Sequence, residues 1–186
     1  MGSPDASTGQ PTAATIDPSA PVPSADPGGG FPTEIDARLL TRIPSTLRAS
    51  CGPTEATADE QAGALSVVDC QPRGNRLDPT FVRYFLFNDP RLMDGAYEAQ
   101  LAQARAQDDV ANRAGLCFDP PFTGAFGRYD RPNAGSVVCY RDDQGRAVFL
   151  WTVDALRIVA LAYREDGNHK DLFDWWVDSS RSGPLG

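Results

Sequence analysis

The sequence predicts an α+β domain, an antiparallel sheet of about five to six strands with helices packed mainly on one face. Two observations favour this class. Short runs of alternating, β-branched or aromatic residues are separated by turn residues, and in each half of the chain they lead into a helix-like segment. The halves thus form a weak internal strand–strand–helix repeat. Four Cys residues, two in each half, predict two disulfides.

Residues 1–33 have the composition of a linker. They contain seven prolines, three Asp and no Lys or Arg, and most of the rest is Ala, Ser, Thr and Gly. Such a segment buries too little apolar surface to offset the entropy lost on ordering. We therefore expect a disordered linker over 1–33, one folded domain over 34–180 and a flexible tail over 181–186. A spacer from a membrane or another domain is one role for the linker, and a dispensable tail is the alternative.

Order is expected to begin with a short helix. Thr33 and Asp36 fit a capping pattern, and the apolar helical face that follows continues to Ile43. Pro44 then ends or interrupts this helix, because proline lacks the backbone N–H that a helix interior needs. A second short turn through Leu47 is predicted to lead the chain to the first cysteine.

Two strands and a long helix are predicted next. After a polar loop at 52–63, the strands are expected at Leu65–Cys70 and Thr80–Phe87. The second strand is apolar on both faces, which predicts a central strand covered on both sides. Asp89-Pro90 then opens a helix, with the Asp as cap and the Pro in the first turn, and the apolar face of this helix fades near Gln107.

The second half of the domain is predicted to be a run of strands followed by a helix. The segment Leu156–Tyr163 is compatible with a helix or a strand, and its β-branched start favours a strand. A hairpin turn is predicted at Asp142–Gly145 and a closing helix at His169–Asp178. The other strands are expected at Phe126–Asp130, Val137–Tyr140 and Val148–Val153.

The cysteines are Cys51, Cys70, Cys117 and Cys139. None lies in a C-x-x-C pair and the chain has one His, so the ligand spacing of a zinc site is missing. Three disulfide pairings are open, and we favour the local pairs Cys51–Cys70 and Cys117–Cys139, which would staple each half separately. Free buried thiols, as in an intracellular enzyme, are the alternative. Because disulfides persist in oxidising compartments, the pattern predicts an extracytoplasmic location.

The charge pattern argues against two classes of partner. The formal net charge is −8 and no basic patch is visible, so we expect the chain to bind neither nucleic acid nor, through a polybasic surface, a membrane. No apolar run approaches the roughly 20 residues of a membrane span, and the N-terminus does not read as a signal peptide. A membrane tether or export segment is therefore expected outside this sequence.

The residue patterns of common enzymes are missing from the sequence. His169 is the single candidate of the usual kind for acid–base catalysis, and its position among charged neighbours at a helix start is typical of a solvated surface histidine. The G-x-S-x-G, Walker and protein-kinase motifs are absent. We therefore predict no catalytic residue, no cofactor and no metal site, and expect that this chain is not itself an enzyme.

Two further groups of residues are candidates for a site. Acidic pairs occur at Asp108-Asp109, Asp142-Asp143 and Glu165-Asp166, and the last resembles a calcium loop but lacks its alternating ligands and closing Glu. Solvated turn charges are the favoured explanation. Large aromatic residues could line a groove, but at these spacings we expect them in the core. They are Tyr129, Tyr140, Trp151, Trp175 and Trp176.

A series of landmarks along the chain resembles a known family. The landmarks are Leu39-Leu40, Ile43-Pro44, Leu47-Arg48, Cys51, Cys70, Tyr84–Phe87, Met93, Tyr97, Cys117, Cys139–Arg141, Trp151-Thr152 and Leu172–Trp176. None is specific alone, and together they span essentially the whole folded part. In this order they resemble the C-terminal extracytoplasmic, sensor-like domains of actinobacterial receptor-type Ser/Thr protein kinases.

The resemblance implies a function within a larger protein. In that family a cytoplasmic kinase domain, one membrane helix and a Pro/Ala/Thr-rich spacer precede the sensor-like domain. We expect a non-catalytic domain that signals by binding an unidentified extracellular ligand or protein, or by forming a homodimer. Contacts are expected on the exposed sheet face and in the loops at 52–63, 71–79 and 119–136. The alternative is a secreted or lipid-anchored cell-envelope binding protein without a kinase.

Overall fold

An eight-stranded sheet forms the centre of the fold. The computed structural model describes residues 30–55, 63–72, 74–130 and 134–178, so most of the predicted linker and the predicted tail at 181–186 lie outside the described residues. The strands are β1 (Cys51–Pro53), β2 (Ser66–Cys70), β3 (Phe81–Leu86), β4 (Ala111–Asn112), β5 (Ala125–Tyr129), β6 (Gly135–Arg141), β7 (Ala147–Val153) and β8 (Ile158–Arg164). Their order in the sheet is β1-β2-β3-β8-β7-β6-β5-β4. All neighbours are antiparallel except β4 and β5.

Helices cover both faces of this sheet. The helices are α1 (Glu34–Leu40), α2 (Ser45–Arg48), α3 (Pro90–Gln107), α4 (Gly115–Phe118) and α5 (His169–Val177), and a 3-10 turn at Asp154–Leu156 precedes β8. The main core lies between one sheet face and α1, α2, α4 and α5, and the second core lies between the other face and α3. Four of the five helices pack on one face, as expected, but the longest helix, α3, packs on the other.

Two edge strands account for the difference from the five to six strands expected. All six strands that the residue patterns predict are present. The additional strands, β1 and β4, contain three and two residues. Such short segments cannot show an alternation of apolar and polar residues, so only pairing with a neighbour reveals them. β1 also lies largely within the segment expected to be a loop at 52–63.

The sheet consists of two antiparallel meanders that meet at β3 and β8. One meander is β1–β3 and the other is β5–β8, and their junction pairs Phe81 with Tyr163 and Leu86 with Ile158. The helices that follow the two meanders, α3 and α5, pack on opposite faces. The predicted strand–strand–helix repeat is thus a repeat of element order and not of packing.

The start of β3 is open to solvent on the α3 face, although the sequence predicts a strand covered on both sides. Phe85 is buried in the second core, whereas Phe81 and Arg83 are only partly buried. α3 lies across β6, β7 and β8, and β7 is buried along its whole length. The helix therefore leaves the first residues of β3 uncovered, which opens a groove beside it.

The helix starts follow the local signals in the sequence. Thr33 and Asp36 form the predicted capping box of α1, in which the Thr33 backbone N–H donates to Asp36 Oδ2 over 3.0 Å. Asp89 caps α3 by accepting a hydrogen bond of 2.8 Å from the Arg91 backbone N–H, and Pro90 is the first helical residue. Each cap satisfies a backbone donor that has no partner within the helix.

Both local disulfides predicted from the sequence are present. Cys51–Cys70 joins the cross-strand partners of β1 and β2, and Cys117–Cys139 joins α4 to β6. Within the described residues all cysteines are therefore paired. Two disulfides indicate an oxidising, extracytoplasmic environment. Among the described helices, none combines the length and the apolar character that a membrane crossing requires.

Candidate functional site

The opening beside α3 is a groove of about 490 Å³, which we call the sheet groove. Its floor is formed by one end of β3, β8, β7 and β6, and its wall is the last part of α3. A volume of this size falls within the range of small-molecule sites. The lining residues are Phe81, Arg83, Gln100, Gln103, Gln107, Tyr140, Asp142, Arg146, Val148, Leu161 and Tyr163.

Two stacked aromatic rings form part of the floor. Phe81 and Tyr163 are cross-strand partners, and their ring centroids are 5.2 Å apart with an interplanar angle of 23°. A guanidinium group lies over each of these rings. The Arg83 guanidinium carbon lies 5.3 Å from the Phe81 centroid, and that of Arg146 lies 4.2 Å from the Tyr163 centroid. These cation–π contacts stabilise the observed arrangement of the floor side chains.

A carboxylate neutralises each of these guanidinium groups. Arg83 donates from Nε and Nη2 to the two oxygens of Asp69, over 2.7 and 2.9 Å. Arg146 Nε donates to the buried Asp142 over 2.6 Å. Burial acts to lower the pKa of the Arg146 guanidinium, but the hydrogen bond and charge of Asp142 outweigh it and raise this pKa. The floor is therefore polar without carrying a net charge from these pairs.

The helical wall presents a row of amide side chains. Gln100, Gln103 and Gln107 are separated by three and four residues, a spacing that places them on one side of α3. An amide both donates and accepts hydrogen bonds. The Gln107 Oε1 atom is buried and has no hydrogen-bond partner among the described residues. The wall thus offers both donors and acceptors to a polar molecule in the groove.

A second depression continues from the sheet groove toward the edge strand β1. Its volume is about 670 Å³, and Phe81 and Arg83 line both spaces. Asp69 stands between β1 and Arg83 and is held by two further donors, the Thr54 hydroxyl at 3.1 Å and the Glu55 backbone N–H at 3.2 Å. The two spaces therefore form one continuous surface across the open part of the sheet.

The chemistry of the sheet groove suits binding of an uncharged, polar molecule. Its guanidinium groups are already paired with carboxylates, which weakens their attraction for an anionic ligand. Burial, followed by the charge of Asp142, raises the pKa of the Tyr140 hydroxyl to about 12, which keeps it protonated near neutral pH. The lining groups outside these ion pairs are the amides, the aromatic residues and the side chains of Val148 and Leu161.

Comparison with known proteins identifies no family for this chain. The chain matches no family model, no curated protein and no solved structure. Function therefore has to be inferred from the site itself. The sheet groove lies where α3 leaves one sheet face uncovered, and Glu55 and Gln71, from two of the loops where contacts are expected, line the second depression. The described part of the loop at 119–136 lines neither space.

The expectation of a solvated His169 is wrong. The residue is 5% exposed, and its Nε2 atom lies 2.9 Å from the Tyr140 carbonyl oxygen. Burial lowers the pKa of His169 below its ordinary value, and the hydrogen bond to the carbonyl only partly opposes this effect. Its exposed neighbour Lys170 suggests a surface position, but the first residue of α5 points inward. His169 is not among the lining residues of the sheet groove.

The acidic pairs serve the fold where the structure describes them. Asp108 accepts a hydrogen bond from the Arg141 backbone N–H, Asp142 pairs with Arg146, and Asp166 pairs with Arg164. In the described ranges, no three His, Cys, Asp or Glu side chains are grouped so that they could hold a metal ion. The expectation that the large aromatic residues are buried is confirmed. Tyr129, Tyr140, Trp151, Trp175 and Trp176 are at most 6% exposed.

Sequence reasoning considers two residues of the sheet groove, Tyr140 and Asp142, but assigns them to the core and to a solvated turn, and it does not identify the others. Two signals could have pointed to it: the amide row on one side of α3, and Arg83 on an otherwise aromatic face of β3. Both are ordinary features of surface helices and of half-exposed strands. They gain meaning only when the fold brings Gln103 of the helix and Tyr163 of a distant strand to the same groove.

Proposed function

We propose that this chain is a non-catalytic extracytoplasmic sensor or ligand-binding domain of a membrane-anchored Ser/Thr protein kinase. The observation that carries the binding role is the sheet groove, a space of about 490 Å³ with stacked rings, paired charges and amides around it. The two disulfides support a position outside the cytoplasm. The order of landmarks along the chain, which resembles the kinase sensor domains, supports attachment to a kinase.

The ligand class follows from the groups that the groove leaves unpaired. Gln100, Gln103 and Gln107 supply amide donors and acceptors, while Arg83 and Arg146 are engaged by carboxylates. An uncharged molecule rich in hydroxyl or amide groups satisfies these side chains without separating a salt bridge. Because the floor is held in place by its own contacts, binding costs little ordering of the site.

Binding in the groove provides a route to signalling. A ligand there contacts α3 and the sheet together and stabilises the arrangement in which they pack. A ligand or a second copy of the domain can change signalling only if it favours one arrangement of the tethered domains over another. The proposed output is a change in kinase proximity on the other side of the membrane.

Ligand binding is tested by titrating the full chain with uncharged oligosaccharides and short uncharged peptides, monitored by amide chemical shifts. We expect saturable shifts in β3, β8 and the last half of α3. The double substitution Gln100→Ala and Gln103→Ala should weaken this binding, while Gln144→Ala, an exposed Gln outside the groove, should leave it unchanged. Shifts centred elsewhere, or equal losses in both variants, would contradict the assignment of the groove.

Attachment to a kinase is tested separately by the genomic sequence that precedes residue 1. A membrane span preceded by kinase motifs would support the proposal. An export signal or lipid-attachment cysteine with no kinase would instead favour the secreted or lipid-anchored binding protein. The groove would keep its role in either case, so the two tests are independent.

A further inference from the structure

A second cavity, of about 330 Å³, lies at the opposite end of β3 and β8 from the sheet groove. It is bounded by the end of α1, by the corner between β3 and α3, and by the 3-10 turn before β8. We call it the arginine pocket, because its charged lining consists of Arg38, Arg42 and Arg157. No Asp or Glu is among the lining residues that the structure describes.

No carboxylate neutralises any of these three guanidinium groups in the described part of the chain. Within the described residues, none of them forms a salt bridge, whereas five other basic side chains each pair with a carboxylate within 3 Å. The five are Arg83, Arg128, Arg146, Arg164 and Lys170. Three arginines that line one cavity without a carboxylate among the lining residues give it a local positive charge in a chain whose net charge is −8.

One hydrogen bond holds the Arg157 side chain at the pocket. Arg38 lies in the last turn of α1 and Arg42 follows its C-cap Thr41, and both exposed side chains line the same cavity. Arg157 has a left-handed backbone, with φ 56°. Its Nη1 donates to the Asn88 carbonyl oxygen over 2.7 Å, which fixes the guanidinium group and leaves its other N–H groups available.

Like charges so close together favour an anion between them. Arg38 and Arg42 line one cavity and repel each other, and Arg157 adds a third positive charge there. The partial negative charge at the C-terminal end of α1 attracts Arg38 and Arg42. It is smaller than the combined positive charge of the three arginines. Guanidinium groups bind phosphate and carboxylate oxygens in a bidentate manner. An oxyanion therefore fits the charge and the donors of this pocket.

The floor of the pocket is apolar, which narrows the ligand class. Leu65, Leu86 and Leu156 line it beside the arginines, and Leu65 is 40% exposed, one of few large apolar side chains so open to solvent. We propose that the arginine pocket binds an amphiphilic oxyanion, a phosphate or carboxylate group attached to an apolar body. The charged group contacts the three guanidinium groups, and the apolar body covers the leucine side chains.

The proposal is tested by titrating the full chain with octyl phosphate, octanoate, inorganic phosphate and octyl glucoside, each below its micelle concentration. Calorimetry gives the affinities, and amide chemical shifts of the wild-type chain locate the bound molecule. We expect octyl phosphate or octanoate to bind more tightly than inorganic phosphate, and the neutral octyl glucoside to bind least. The largest shifts should fall at the end of α1 and around residues 86–88 and 155–157.

Charge-matched variants distinguish the pocket from general attraction to arginine. Arg38→Gln, Arg42→Gln and Arg157→Gln should each weaken octyl phosphate binding about tenfold, the loss of one charge-assisted hydrogen bond. Arg91→Gln and Arg113→Gln remove exposed arginines outside the pocket and should change affinity little. The shift mapping needs no variant, so it still decides the location if Arg157→Gln fails to fold.

Several outcomes would overturn the proposal. Absence of saturable binding by both octyl anions would show that no such site exists. Equal binding of octyl glucoside and octyl phosphate would show that the arginines are not used, and equal binding of inorganic phosphate would show that the apolar floor is not used. Losses as large in Arg91→Gln as in Arg42→Gln would assign the effect to net charge.

Discussion

At the residue scale, the main core contains several polar atoms without partners. Within the described residues, Tyr84 Oη, Trp151 Nε1 and Trp175 Nε1 are buried and make no hydrogen bond. Their rings pack edge to face, with centroids 6.3 Å apart for both Tyr84–Trp151 and Trp151–Trp175. Burial raises the pKa of the Tyr84 hydroxyl, so it remains neutral. The aromatic area therefore stabilises the fold while these polar atoms oppose it.

Two tyrosine substitutions should separate these effects. Tyr84→Phe removes a buried hydroxyl that has no partner, so we expect the free energy of unfolding to stay unchanged or to rise. Tyr129→Phe removes a hydrogen bond to the Thr152 carbonyl and should lower the free energy of unfolding by about 1 kcal/mol or more. Urea denaturation of both variants measures the difference. A larger loss for Tyr84→Phe than for Tyr129→Phe would contradict this account.

His169 shows that burial and not sequence neighbourhood sets the behaviour of a titratable group. Its ring lies under the start of α5 with Nε2 donating to the Tyr140 carbonyl, so protonation has to occur at Nδ1. Burial lowers the folded-state pKa below the ordinary value of 6.5. The buried neutral ring therefore contributes its full stability at pH values above 6.5. This contribution is lost as the pH falls through the folded-state pKa of His169.

The pH dependence of stability should reveal this histidine. We expect the melting temperature of the wild-type chain to fall between about pH 7 and 5, the range in which histidines titrate. His169→Gln keeps a donor for the Tyr140 carbonyl and cannot titrate, so its curve should be flatter there. Asp36 and Asp166 also have lowered pKa values, but their contribution is lost at more acidic pH. Parallel curves for the two proteins would refute the role of His169.

At the element scale, local signals determine where helices and strands begin and end, but close approaches are set by packing. Gly135 begins β6 at a point where a Cβ atom would clash with the Thr152 carbonyl oxygen and come within 2.8 Å of the Tyr129 hydroxyl. Gly95 lies in the middle of α3, where a Cβ atom would meet nothing within 4 Å. The same residue type therefore has opposite roles in the two elements.

Replacing these two glycines by alanine should change stability in opposite directions. Gly135→Ala places a Cβ atom against the Thr152 carbonyl oxygen and forces β6 to shift. We expect it to lower the free energy of unfolding by about 1–3 kcal/mol, as in other overpacked sites. Gly95→Ala should stabilise by about 0.5–1 kcal/mol, because alanine favours a helix more than glycine does. Thermal denaturation followed by circular dichroism checks both. A stabilising Gly135→Ala would show that this approach is not close in solution.

At the scale of the whole molecule, each of the two meanders contains one end or both ends of a disulfide of its own. Cys51–Cys70 holds the three-residue strand β1 on the edge of the first, and Cys117–Cys139 holds α4 against β6 of the second. The sequence separations are 19 and 22 residues. Each cross-link therefore reduces the entropy of the unfolded chain to a similar extent.

Removing either disulfide should destabilise the domain by a similar amount. The chain-entropy model gives about 3 kcal/mol for loops of this size. We expect the double substitutions Cys51→Ala with Cys70→Ala and Cys117→Ala with Cys139→Ala to lower the free energy of unfolding accordingly. Non-reducing peptide mapping should show the same two pairs in the wild-type chain. Cross-linked peptides that join Cys51 or Cys70 to Cys117 or Cys139 would contradict the fold.

The sequence by itself predicts the six longer strands and the caps of α1 and α3, because each depends on residues close together in the chain. It favours the local disulfide pairing but leaves three pairings open, and the structure decides between them. The tertiary structure decides the rest. The edge strands β1 and β4 exist only through pairing, and the placement of α3 and α5 on opposite faces depends on which surfaces remain to be buried. The sheet groove and the arginine pocket bring together side chains such as Arg42 and Arg157 that no local pattern connects. Such sites depend on contacts between residues far apart in the chain, because each helix covers only part of a sheet face and the uncovered parts form the cavities.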